Sequence, residues 1–180
     1  MAKLGVFKGL KKELQKRIAF GNVAVFVDGP NILRKELQID LKDVKKVLQP
    51  FGQIKIGKVF LNQFASEKLV EAVVNQGFES VITVGDIDVS MAVEATDAVF
   101  NHSINHIAFV TRDSDFLPAI MKAKAHGKTT IVILAEESSA AALKNTADHL
   151  IVLGKKASAY ISAFYKVEGL NRYFSLLLKV

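Results

Sequence analysis

The chain has 180 residues, half of them apolar, which is enough for one domain with a sizeable core and too apolar for a disordered tail. It has no cysteine, and this excludes disulfides, zinc–thiolate centres and cysteine nucleophiles together. The net charge of +6 is concentrated at the two ends: six Lys/Arg face Glu13 alone in residues 1–20, and five face Glu168 alone in residues 155–180.

Residues 21–154 are therefore slightly acidic, at −3. Basic ends can hold a polyanion while an acidic body holds metal. Lysines that only solubilise two terminal helices would give the same distribution. No apolar run approaches the ~18–20 residues that span a bilayer, and no secretory signal opens the chain. A soluble, cytoplasmic protein with no membrane partner is expected.

In chain order, residues 1–20 place Leu4, Phe7, Leu10, Leu14 and Ile18 near one helical stripe with lysines opposite, a basic amphipathic helix. Residues 23–27 (VAVFV) form an unbroken apolar run, as in a strand covered on both faces. The sequence Asp28-Gly29-Pro30-Asn31 ends it, with Gly29 for the turn and Pro30 for the first position of a helix. One or two helices fill 31–50, and strands are expected at 54–62 and 78–84 with a helix at 66–75 between them.

Gly85-Asp86-Ile87-Asp88 then leads into a helix with Val89, Ala92, Val93, Thr96, Val99 and Phe100 on one face. The stretch IAFVTRDSDFLP (107–118) passes from a short buried strand straight into a helical repeat ending near Gly127. A further strand covers 129–134, Ser138 or Ser139 caps a helix at 139–147, and a last short strand covers 150–153. Residues 155–165 read as helical.

Strand and helix alternate throughout. The expected architecture is α/β, three layers with a mainly parallel central sheet, since right-handed crossovers put helices on both faces. The organisation reads as a basic helix at 1–20, one domain at 21–154 and a basic helical extension at 155–180. The acidic turns at 28–31, 85–88 and 111–115 all follow strands, so in a parallel sheet they share the carboxyl edge, where open α/β folds bind ligands.

Asp28, Asp88, Asp113 and Asp115 would form a carboxylate cluster there, with Asn31 as a neutral neighbour and Glu94 or Asp86 as candidate additions. Two aspartates one residue apart repel each other unless a cation lies between them. Carboxylate oxygens suit Mg²⁺ or Mn²⁺. Helix capping explains Asp113 or Ser114 without any metal, but it does not ask for Asp115 as well. Asp86 reads better as a turn residue, and Asp97 and Asp148 as helix-face or capping residues. The four histidines show no metal-site spacing.

The segments VFVDGPNIL (25–33), DIDVSMAVEATD (86–97) and FVTRDSDFLPAIMKAKAHGKTTIVI (109–133) resemble the three signature blocks of the NYN domain family. NYN domains are PIN-like and related to FLAP nucleases, and the resemblance covers about residues 22–153. It implies a PIN-like fold and metal-dependent cleavage of RNA, single-stranded or structured, by Mg²⁺ or Mn²⁺ held on Asp28, Asp88, Asp113 and Asp115. Asn31 matches the first block as a substrate-side residue. Glu94 stands where the family often has Asp. Arg112 stands where a small residue is common, and there it could contact a substrate phosphate.

A member of the same fold that binds RNA or a protein without cutting is the competing expectation, and a homo-oligomer stays open. Nothing resembles a P-loop, and DGPNI does not supply the Asp-x-Asp-x-Thr of haloacid-dehalogenase-type phosphatases.

Overall fold

The run from Val23 to Val27 has no polar residue, so the strand it forms can be buried on both faces, and β1 (Gly21–Asp28) lies in the middle of the sheet. The computed structural model describes residues 20–33, 40–135, 141–153, 160–166 and 173–179. The expected helix at 1–20 and the cap at Ser138 or Ser139 fall outside the described residues, apart from Phe20.

After β1 come α1 (Gly29–Ile32), α2 (Leu41–Leu48), β2 (Gly52–Asn62), α3 (Glu67–Asn75) and β3 (Glu79–Thr83). The chain then forms α4 (Ile87–Phe100), β4 (His106–Val110), a 3₁₀ turn (Ser114–Phe116) and α5 (Leu117–Ala125). β5 (Thr129–Leu134), α6 (Ala141–Thr146) and β6 (His149–Val152) complete the sheet. Its six strands are all parallel, in the order β3-β2-β1-β4-β5-β6.

The order shows how the site is placed. From β1 the chain moves outward through β2 to β3, then returns past β1 to β4 and moves outward the other way. Connections after β1 and β4 therefore diverge, and a crevice opens between their carboxyl ends. Side chains alternate between faces, so the two sides of the sheet carry two separate cores. Val25, Val27, Val59 and Leu61 pack with Ile32, Leu41, Val44 and Val73 from α1 to α3. Phe26, Phe60, Phe109 and Val132 pack with Met91, Ala95, Ile120 and Leu143 from α4 to α6. The three-layer expectation holds.

Close packing at the first turn depends on Gly29, where a Cβ would lie 2.5 Å from the Phe60 carbonyl oxygen. Gly85, at φ +116°, makes the turn that delivers the start of α4 to the same edge.

One expectation is corrected. The chain from Tyr160 to Lys166 is a strand, β7, paired antiparallel with β8 (Tyr173–Lys179) in a second, two-stranded sheet. The segments YISAFYK and YFSLLLK are rich in aromatic residues that favour pleated backbone, and each finds a partner close in sequence. A basic helical extension is thus not what these residues form.

Candidate metal centre

Asp28 caps α1 at the end of β1, and the residue is 1 % exposed. It is fully engaged. The Asn31 backbone N–H donates to Oδ1 at 3.2 Å, Asn31 Nδ2 donates to Oδ2 at 2.6 Å, and Thr111 Oγ1 donates to Oδ2 at 3.0 Å. The Thr111 hydroxyl, itself buried, also accepts from the Asp113 backbone N–H at 3.1 Å. One hydroxyl thereby joins the end of β1 to the loop after β4.

That loop is fixed at both ends. Asp113 Oδ1 accepts from the Asp115 backbone N–H at 2.9 Å and so starts the 3₁₀ turn. Phe116, next in the chain, is fully buried, with its ring centroid 6.3 Å from that of Phe109. Phe109 in turn meets Phe26 at 6.3 Å. An aromatic row under the sheet edge therefore anchors the acidic loop from below. Asp88 arrives from the first turn of α4, where Asp86 Oδ1 accepts its backbone N–H at 2.9 Å.

Of the four aspartates expected to converge, the structure brings three together. Asp88, Asp113 and Asp115 each offer a carboxylate oxygen, all within 4.8 Å of one another. Asp28 is not one of the three: its carboxylate accepts from Asn31 and Thr111, and its charge acts on Asp88. Asp86 is exposed and caps the helix. Glu94 points elsewhere: its Oε2 is 2.7 Å from Lys58 Nζ, and this partner raises the pKa of Lys58 above its usual range. Arg112 is exposed and makes no ion pair among the described residues. Thr111 was invisible as a site residue in the sequence, because its partner Asp28 is 83 positions away and meets it only through β1–β4 pairing.

The electrostatics follow from this crowding. Burial first, then the charges of Asp28, Asp113, Asp86 and Asp115, push the Asp88 carboxyl up to about 6. The folded protein thus holds this proton more tightly than the unfolded chain. The stability it contributes is present at pH 4 and is lost as pH rises through about 6. Asp88 is partly in water, so the swing is on the order of 1 kcal/mol rather than the full value of such a shift. Urea unfolding at pH 4.5 and pH 7.5 should show this loss in the parent and not in Asp88→Asn. Equal pH dependence in the two proteins would remove Asp88 from the cluster.

An oxygen-only donor set suits a hard divalent cation. Mg²⁺ holds oxygens at about 2.0–2.1 Å, so two ligands of one ion are at most ~4.2 Å apart. Three ligands of one octahedral ion include at least two neighbouring pairs ~3 Å apart, so side-chain rotations would draw the trio in by up to roughly 1–2 Å to hold it. The residues fit.

Comparison with known proteins bears on the fold and the family. A protein of unknown function from Vibrio parahaemolyticus superposes with a TM-score of 0.66 at 16 % identity, covering 79 % of this chain and 96 % of that one, and so shares the fold. An uncharacterised protein of Methanocaldococcus jannaschii is 55 % identical over 145 residues, which are 81 % of this chain. Those residues span 60 % of the relative's length. Among the described residues no helix is long and apolar enough to cross a membrane. The profile of the NYN domain matches residues 22–154, the whole of the parallel sheet with its three acidic turns, and the chain belongs to the NYN domain family of the PIN-like nuclease superfamily.

Proposed function

We propose that this protein is a Mg²⁺- or Mn²⁺-dependent ribonuclease acting in the cytoplasm. The observation that carries the reading is the trio Asp88, Asp113 and Asp115, gathered within 4.8 Å at the carboxyl edge of a NYN domain. A divalent ion bound there would polarise a phosphodiester and supply an activated water.

The protein's own residues do the rest. The 3₁₀ turn and buried Phe116 hold the backbone that presents Asp113 and Asp115, and the Asp115 backbone N–H holds Asp113 Oδ1. Asp28 adds negative charge while Asn31 and Thr111 keep it oriented. Asp88 must lose its proton to bind metal, so affinity should climb with pH up to about 6 and then level off. Arg112, exposed beside the loop, is free to meet a phosphate of the RNA.

The test is metal binding followed by cleavage. Titration calorimetry with Mn²⁺ at pH 7.5 should show a saturable site. The melting temperature should rise with Mn²⁺ concentration, since a ligand of the native state stabilises it: about 2.7 kcal/mol at one hundred times the dissociation constant. No binding at millimolar Mn²⁺ would defeat the catalytic reading.

One observation favours a second reading, a NYN domain that binds RNA or protein without cutting. Glu94 is bound to Lys58 and so is withdrawn from the cluster, which leaves three convergent acids. Binding of labelled RNA with no product in Mn²⁺ would establish that alternative.

A further inference from the structure

β3 ends the parallel sheet on one side: it bonds to β2, and among the described residues nothing pairs with its outer edge. An open edge presents a row of backbone N–H and C=O groups that another strand can use. Folds usually blunt such an edge with a lysine, a proline or a bulge. This one is not blunted. Residues 79–84 (ESVITV) hold no lysine and no proline, and the register with β2 is unbroken. Their one charge, on Glu79, is turned to the neighbouring strand, with Oε1 3.7 Å from Lys58 Nζ.

The margins of the edge are apolar on both faces of the sheet. Val81 packs, partly covered, on the core beneath α4, together with Ile87. Its neighbour Ile82 therefore points to the opposite face, the one that α3 covers. That cover is thin. An amphipathic helix normally buries three or four residues in two turns, yet Val73 is the one residue of α3 that is fully buried. Val70 is half-buried and Val74, one turn on, is 54 % exposed. Ile82 is 48 % exposed, and Val84, just past the strand, is 82 % exposed.

We infer that β3 is a dimerisation edge, on which a second copy of this chain lays its own β3 antiparallel, joining the two sheets into one. The open backbone calls for an extended strand, and the side chains single out the chain itself. With Ile82 on the two-fold axis, Val81 stands opposite the second copy's Thr83, and Ser80 opposite its Val84. Val74, Ile82 and Val84 of both copies then gather on one face around the axis. Glu79 falls at the end of the pairing, opposite Gly85, so no like charges oppose each other. A two-fold contact also uses up both open edges, whereas a head-to-tail contact leaves one free to grow a filament. Antiparallel pairing turns one copy end for end, so the two acidic trios lie on opposite edges of the joined sheet. An extended segment of another protein is the rival occupant.

The chain contains no cysteine, so the full-length Ile82→Cys protein carries a single thiol. Mild oxidation should link it into a covalent dimer, because opposed residues of an antiparallel pair have Cβ atoms about 4.5–5.5 Å apart, close to the reach of a disulfide. Val93→Cys, exposed on α4 and away from this edge, should not link. In sedimentation at about 100 µM the parent should be a dimer, and Ile82→Lys should associate at least roughly tenfold more weakly, since like charges then meet on the axis. A parent that stays monomeric at that concentration overturns the inference and leaves the edge to a strand of another protein. A dimer that survives Ile82→Lys overturns it too, as does an Ile82→Cys protein that links no better than Val93→Cys. Should Ile82→Lys fail to fold, the comparison of the two cysteine variants decides.

Discussion

Asp113→Asn should abolish Mn²⁺-dependent RNA cleavage while leaving the metal-free protein as stable as the parent or slightly more so. Asn has nearly the same shape as Asp, and its carbonyl oxygen can still accept the Asp115 backbone N–H that starts the 3₁₀ turn. What disappears is one negative charge from a trio whose oxygens lie within 4.8 Å. Without metal that charge is repulsive, and its removal is worth up to about 1 kcal/mol in favour of folding. With metal bound as proposed, it would be a ligand. Losing a residue that merely supports a ligand lowers metal affinity or activity by roughly 10–100-fold, and losing the ligand itself should exceed that. The paired measurement is melting temperature with and without Mn²⁺, beside cleavage of a labelled single-stranded RNA. A variant that melts lower without metal and cuts as well as the parent would show that Asp113 is only a helix cap.

Much of this architecture is legible in the sequence because its signals are local. The runs 23–27 and 131–134 are apolar without interruption, as strands covered on both faces must be, and the structure buries their side chains fully. The three acidic turns could be assigned to one edge because parallel strands leave no other choice. The features that were missed depend on contacts across the sheet. Glu94 reads as a candidate addition to the cluster until β2 brings Lys58 against α4.

Thr111 reads as an ordinary loop residue until β4 lies beside β1. At the C-terminal end, aliphatic, aromatic and lysine residues suit a helix face as well as a strand, and the pairing of Tyr160–Lys166 with Tyr173–Lys179 decides between them.

The same near-isosteric change one layer deeper should have the opposite sign. Asp28→Asn also removes a negative charge near Asp88, yet it should destabilise the metal-free protein. Asp28 is 1 % exposed, and its two oxygens accept from Asn31 N, Asn31 Nδ2 and Thr111 Oγ1. Asn can offer only one oxygen. If it faces Asn31 Nδ2 and Thr111, the new amide N–H group opposes the Asn31 backbone donor; if it is flipped, two donors lose their acceptor instead. A buried donor left without a partner costs about 1–3 kcal/mol. The opposing gain, relief of repulsion on Asp88, acts on a partly exposed carboxyl and is worth less than about 1 kcal/mol.

The hydrogen-bond loss therefore wins, and at ~2–4 °C per kcal/mol for a chain of this size the melting temperature should fall by several degrees. The charge should still be visible in a separate readout. The Asp28 charge is the second cause, after burial, of the raised Asp88 carboxyl, so the midpoint of Asp88 in Asp28→Asn should fall below about 6. Carboxyl-carbon resonances followed by NMR against pH would give that midpoint directly. A variant that melts higher than the parent, as Asp113→Asn is expected to do, would mean that the Asn31 and Thr111 hydrogen bonds do not hold the site. An unchanged Asp88 midpoint would mean that Asp28 lies too far from the trio to act on it.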